Sequence, residues 1–198
     1  MTYKIFLLRH AKSSWDNQNL TDFERPLNQR GVNNATALGE YLKSINFKVD
    51  QILSSPSERT LQTLQILSAV AKIKNEIITV NSMYHSTLEN LLTIIRQMCL
   101  ENRSLLLVGH NPSMHEVYEY LTSDSITNFP TCGFAEVSFT EDLSKSLEGV
   151  AKCDLFVKYH PPSILKEVLI CSVCLRRTKD EEISGQGLLR LIFHDKAE

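Results

Sequence analysis

Apolar residues along this chain come in short runs of strand length, separated by stretches whose apolar positions recur at helical spacing. Tyr3 to Leu8 has the length and apolar content of a strand buried on both faces, and it stops at Arg9-His10-Ala11-Lys12. A polar loop follows, carrying the single tryptophan, Trp15. Pro26 blocks an early helix, and Asn28 is suited to cap the one in which Ala35, Leu38, Leu42 and Ile45 recur. Val49 to Leu53 predicts a short second strand. The next helix is expected to run to about Lys72, with Pro56 early in it and Leu61, Leu64 and Leu67 inward. Ile77 to Val80 predicts a third strand, and Ser86-Thr87-Leu88-Glu89 has the form of a capping box opening a helix to about Glu101. Ser104 to Val108 predicts a fourth strand, ending in Gly109-His110-Asn111-Pro112, and Ser113 with Glu116 opens another helix. Phe134 to Phe139 and Leu155 to Tyr159 predict two more strands, joined by the polar stretch Thr140 to Glu148. Strands alternating with helices imply an α/β fold of three layers, a mainly parallel sheet with helices on both faces.

Composition narrows the function classes. A chain of 198 residues suits one domain with a proper core. With 21 basic and 23 acidic residues it has no field that would draw nucleic acid or an anionic membrane. No apolar stretch approaches a membrane span, and Met1 to Lys4 does not lead into a signal peptide. Five cysteines, an odd number without an export signal, read as reduced thiols. A cytoplasmic location, with neither a nucleic-acid nor a membrane partner, is the expectation.

The candidate chemistry lies at three strand ends. Arg9-His10 follows the first strand, Arg59 falls in the first turn of the helix after the second, and His110 ends the fourth. Open α/β sheets bind ligands outside the carboxyl ends of their strands, and free amides at a helix start favour an anion. Each segment alone reads as a solvated strand end or a surface ion pair; together they predict four groups converging on a phosphoryl group. Two guanidiniums match phosphate as planar, permanently charged forks. One neutral histidine can attack phosphorus in line, and the other can donate a hydrogen bond to the transferring group. No metal is required, no cofactor is implied, and no P-loop, His-Glu-x-x-His or aspartate cluster occurs.

Leu8-Arg9-His10-Ala11, Ser55-Pro56-Ser57-Glu58-Arg59 and Val108-Gly109-His110-Asn111-Pro112 resemble the three core motifs of the histidine phosphatase superfamily, which has the phosphoglycerate-mutase-like fold. Asp22-Phe23-Glu24-Arg25-Pro26-Leu27 followed by Gly31, with the short chain, resembles the SixA-type phosphohistidine phosphatases. The resemblance runs from Tyr3 to about Leu165, taking in Tyr159-His160-Pro161-Pro162. It implies that His10 is the nucleophile that becomes phosphorylated, with Arg9, Arg59 and His110 binding phosphate around it. Asp22 and Arg25 lie in the family's matching loop, where they either contact substrate or hold the loop. Ser13 and Ser55 are further groups able to touch phosphate.

The substrate class follows from the leaving group. The acid-phosphatase branch of the family has an aspartate where this chain has Asn111, and the mutase-like branch has a glutamate near Met83-Tyr84-His85. Glu89, His85 or water remain the candidate proton donors here. Imidazole, with a reference pKa of about 6.5, departs far more easily than an alkoxide, so phosphohistidine asks least of such a site. The segments between motifs are too short for a large lid, which suits a phosphohistidine-bearing protein as partner. The alternatives are a small-molecule phosphomonoesterase or phosphoglycerate mutase of the same superfamily, and a non-catalytic phosphate- or phosphoprotein-binding module.

Residues 166–198 form a C-terminal extension beyond the 1–165 phosphatase domain. Val168 to Leu175 and Leu188 to Phe193 are too apolar for a solvated tail, and Cys171 and Cys174 read as buried thiols rather than metal ligands.

Overall fold

The computed structural model of the protein describes residues 2–99, 101, 103–140, 147–149 and 151–157. The first apolar run is β1 (Tyr3–Arg9), followed by α1 (Gln29–Ser44), β2 (Gln51–Ser54), α2 (Glu58–Ala71) and β3 (Ile77–Thr79). A single 3-10 turn, Asn81–Met83, leads to α3 (Leu88–Cys99), β4 (Ser104–Gly109), α4 (Ser113–Thr122), β5 (Phe134–Phe139) and β6 (Lys152–Val157). The six strands form one sheet in the order β3-β2-β4-β1-β5-β6. The first four in chain order pair in parallel, and β5 and β6 extend the sheet antiparallel beyond β1.

Strand periodicity splits the core into two layers. Ile5 and Leu7 of β1 and Leu105 and Leu107 of β4 face one side, where Ile94, Ile95, Val117 and Leu121 from α3 and α4 cover them. Phe6, Leu8, Leu106 and Val108 face the other, against Leu38 and Leu42 of α1 and Leu64 and Leu67 of α2. All of these residues but Ile94 and Phe6 are wholly enclosed, so a cut to alanine at one of the leucines costs about 2–5 kcal/mol. The three-layer α/β architecture is the one the sequence predicts. Among the described residues no helix is long and apolar enough to cross a membrane.

Local signals held in some places and not in others. Asn28 caps α1, its side chain accepting from the Gly31 amide at 2.9 Å. Pro56 lies just before α2 rather than inside it, since Ser57 is the cap residue. At α3 the capping side chain is Thr87, whose hydroxyl accepts from the Asn90 amide at 3.3 Å, so Ser86 and Glu89 do not form the expected box. Ser113 is the first residue of α4 and donates to the His110 carbonyl at 3.0 Å, so it is not a cap for Glu116. The sixth strand begins at Lys152, three residues before Leu155. Tyr159 to Pro162 and the extension 166–198, with Cys171 and Cys174, lie outside the described residues.

The segment between β1 and α1 folds back on itself. Ser13 and Leu27 form a two-residue bridge, the Ser14 amide donates to Pro26, and the Asn28 amide donates to Lys12. Gly31 allows this closeness: a Cβ there would lie 2.2 Å from the Lys12 carbonyl oxygen. The loop so tethered carries Asp22 to the sheet edge.

Candidate active site

Strand register alone brings the key residues level. Arg9 pairs with Gly109, and Ser54 pairs with Val108, so β1, β2 and β4 all end on one line. The His10 amide then donates to the Gly109 carbonyl at 3.1 Å, and the Ser55 amide to Val108 at 3.0 Å. His10 and His110 therefore emerge side by side, with ring centroids 5.0 Å apart. Arg59, the second residue of α2, reaches across the same edge, its Nη2 3.3 Å from His110 Nδ1. Arg9 donates from Nη1 to the Phe129 carbonyl at 2.8 Å, and its Nε is buried with no partner among the described residues. The structure thus gathers all four sequence-predicted residues at the carboxyl end of the parallel strands.

Hydrogen bonds fix the histidine tautomers. His10 Nδ1 lies 2.7 Å from the Ala11 carbonyl oxygen, which can only accept. Nδ1 is therefore the protonated nitrogen, and Nε2 carries a free lone pair. His110 Nδ1 faces the Arg59 guanidinium, which can only donate, so Nδ1 accepts and Nε2–H donates to Ser55 Oγ at 2.8 Å. Burial, followed by the guanidiniums of Arg59, Arg9 and Arg25, pushes the His10 pKa down to about 4. Burial, then His10 and Arg59, pushes His110 down to about 3. Both imidazoles are consequently neutral at pH 7. Burial and the Arg59 charge also lower the pKa of Arg9.

Asp22 is the counterweight to this positive field. Its Oδ2 accepts from Arg59 Nη2 at 2.9 Å and from the Tyr84 hydroxyl at 2.8 Å, while Oδ1 accepts from Arg25 Nη1 at 2.8 Å. Its backbone carbonyl accepts from Arg59 Nη1 as well. Partial burial pushes the Asp22 carboxyl up, but Tyr84, Arg59 and Arg25 outweigh it and hold it below the usual carboxylate range. Arg25 also donates to Ser13 Oγ and to the Ser14 carbonyl, and the Trp15 ring covers its guanidinium at 3.2 Å. Those contacts tether the loop to the site. Three guanidiniums against one carboxylate leave two positive charges around neutral histidines, a match for a phosphoryl dianion.

The other candidates fall elsewhere. Ser13 is engaged by Arg25, and Ser55 by His110. Glu89 is exposed on the first turn of α3, where its backbone carbonyl accepts from Thr93. His85 is exposed beside Tyr84, ring centroids 4.1 Å apart. Asn111 has structural work: its amide donates to Asn128 and to the Phe129 carbonyl that also receives Arg9. Among the described residues no group of three His, Cys, Asp or Glu side chains could hold a metal ion.

Sequence reasoning missed two supports. Tyr84 orders Asp22 from a turn 62 residues away, and Thr63 of α2 accepts from the Ala11 amide at 3.0 Å, steadying the backbone next to His10. The helical spacing of Arg59 and Thr63 was the available signal, since it puts both on one face. Nothing local pointed to Tyr84.

Comparison with known proteins bears on the identity of this site. A family model described as histidine phosphatase superfamily (branch 1) matches residues 5–83. An uncharacterized chloroplastic protein of Arabidopsis thaliana is 32% identical over 141 residues, covering 67% of this chain and 64% of that protein. The chain thus spans less than two thirds of that relative's length. An uncharacterized protein of Mycobacterium tuberculosis is 27% identical over 165 residues, 78% of this chain and 99% of its own. The solved structure of a candidate phosphohistidine phosphatase, SixA of Agrobacterium tumefaciens, superposes with a TM-score of 0.70 at 28% identity, covering 79% of this chain and 98% of that one. With the matched segment taking in most of β1, the Asp22 loop and α2, and with the fold shared along nearly the whole of the Agrobacterium chain, this chain is similar to the histidine phosphatase superfamily in both sequence and fold.

Proposed function

We propose that the protein is a phosphatase that hydrolyses phosphohistidine through a covalent intermediate on His10. The observation that carries this reading is the His10 tautomer: the Ala11 carbonyl holds the proton on Nδ1, leaving a neutral Nε2 among the guanidiniums of Arg9 and Arg59. In the first step the Nε2 lone pair forms a bond to phosphorus while the bond from phosphorus to the substrate nitrogen breaks. The substrate ring, already protonated from solvent on its other nitrogen, keeps that electron pair and departs as neutral imidazole. Arg9 and Arg59 stabilise charge on the equatorial oxygens, and the second histidine joins them by turning its Nε2–H from Ser55 Oγ to a phosphoryl oxygen. Water then attacks the phosphorus, the bond to Nε2 breaks, and inorganic phosphate leaves with neutral His10 restored.

The choice of phosphohistidine rests on what the site supplies as an acid. Asp22, the carboxylate bonded to Arg59, is held ionised and has no proton to give at neutral pH. An alkoxide, unlike imidazole, needs one. The likeness to the Agrobacterium SixA protein supports the same substrate class. The test is phosphate release from a phosphohistidine-bearing protein without added metal, beside a simple phosphomonoester, by wild type and His10→Ala. Release from phosphohistidine that is lost in His10→Ala, and is slow on the monoester, is the expected result. Preference for the monoester would overturn the substrate class. Phosphate binding with no turnover of either would make the protein a binding module.

A further inference from the structure

Beside the reacting groups stands a cluster of rings that the mechanism does not use. Tyr84 meets His110 edge-on with ring centroids 5.6 Å apart, and the Arg59 guanidinium carbon lies 5.9 Å from the Tyr84 centroid. Two more rings pack on Tyr84: His85 at 4.1 Å and Phe23, edge-on, at 5.1 Å. The reacting residues His10, Arg59 and His110 are buried, whereas Phe23 is 39% exposed and His85 is exposed. His85 holds this position with φ of 53°, a left-handed backbone that strains a residue other than glycine. The two rings left in water at the edge of a buried polar site, apolar Phe23 and polar His85, offer open faces to a flat ligand.

An in-line displacement by His10 puts the leaving group on the far side of phosphorus, toward solvent. We propose that Phe23, Tyr84 and His85 form the wall that receives the leaving group, so that the site favours phosphoryl groups carried on a planar ring. The proposal rests on the phosphatase reading above and gives its substrate preference a structural source. Ring-on-ring contact is worth enough to discriminate: stacked and edge-on pairs contribute beyond their buried area. The same wall offers nothing to a small, ringless leaving group such as ammonia. Tyr84 has a second role through its hydroxyl, which orders Asp22 and hence Arg59, and the two roles are separable by mutation.

The experiment compares kcat/KM for free phosphohistidine and for phosphoramidate, whose phosphorus–nitrogen bond carries no ring. The variants are Tyr84→Leu, Tyr84→Phe and the double variant Phe23→Leu with His85→Leu. Tyr84→Leu and the double variant are expected to lose about five- to tenfold more on phosphohistidine than on phosphoramidate. Tyr84→Phe keeps the ring and drops the bond to Asp22, so it is expected to slow both substrates by one common factor. The double variant changes only solvent-facing rings and keeps the Asp22 bond, so it carries the test if Tyr84→Leu fails to fold. Equal losses on the two substrates, or none, would overturn the wall while leaving the phosphatase reading intact. Wild-type protein inert toward both substrates would overturn the phosphatase reading and the wall with it.

Discussion

Asp22→Asn tests how the loop controls Arg59. The wild-type carboxylate serves three donors: Arg25 on Oδ1, and Arg59 and Tyr84 on Oδ2. An amide has one oxygen, and its nitrogen would point two hydrogens at a guanidinium. Either the Arg25 contact or the Arg59 contact must therefore fail, whereas the Tyr84 hydroxyl can turn to accept from the amide. Charge-assisted hydrogen bonds contribute about 1.5–3 kcal/mol when buried, but the Asp22 side chain is 46% exposed. Screening by solvent brings the expected loss of stability to about 1–2 kcal/mol, or about 2–8 °C in Tm for a chain of this size. Catalysis should suffer more, because Arg59 loses its orientation, and a misplacement of about 1 Å can cost about a hundredfold. The expected fall in kcat/KM is about 10- to 100-fold, measured as phosphate release beside thermal unfolding. A cycle with Arg59→Lys separates the routes: if Asp22 acts through Arg59, the double variant is little worse than Arg59→Lys alone. Wild-type kcat/KM in Asp22→Asn, or fully additive losses in the cycle, would refute the reasoning.

Further outcomes follow from the same structure. His10 and His110 titrate at about 4 and about 3 in the folded chain, against about 6.5 when unfolded. Between those values the unfolded state binds more protons, so the stability these two contribute is complete above about pH 6.5 and is lost as the pH falls toward the folded values. Imidazole NMR signals of both should remain in the neutral form at about pH 5; titration near 6.5 would contradict this. Gly31→Ala drives a Cβ to 2.2 Å from the Lys12 carbonyl oxygen, so urea unfolding should show a loss of about 1–3 kcal/mol. Asn28→Ala removes the α1 cap and should cost about 1 kcal/mol in the same assay.

The parts of this protein legible in its sequence are those fixed by short-range pattern. Ile5 to Leu8 and Leu105 to Val108 are apolar on both strand faces and read as central strands because they are buried from both sides. The residues after them, Arg9, His10 and His110, could be placed on one edge because parallel strands with short exits end level. The β6 strand was harder, since Lys152 and Asp154 alternate with buried Cys153 at the sheet edge, and an apolar run begins only at Leu155. Near Ser86 two hydroxyls, Ser86 and Thr87, stand side by side and geometry decides which one caps, while the Ser113 hydroxyl turns back to the His110 carbonyl instead of capping. The second tier of the site was out of reach. Tyr84 to Asp22, Arg9 to Phe129 and Ala11 to Thr63 join residues whose proximity is created by the sheet order and the folded-back loop. No local spacing encodes those pairs, although the four-residue interval from Arg59 to Thr63 puts those two on one helix face.

If phosphate passes through a covalent bond to His10, rapid quenching should trap the phosphorylated chain. The protein would be mixed with a phosphohistidine-bearing substrate, quenched in alkali where phosphorus–nitrogen bonds survive, and mapped by mass spectrometry. A phosphoryl group is expected on the peptide containing His10, absent in His10→Ala and discharged as free phosphate when the chase is prolonged. Turnover with no phosphorylated peptide, or with the phosphoryl group on His110 or another residue, would contradict it.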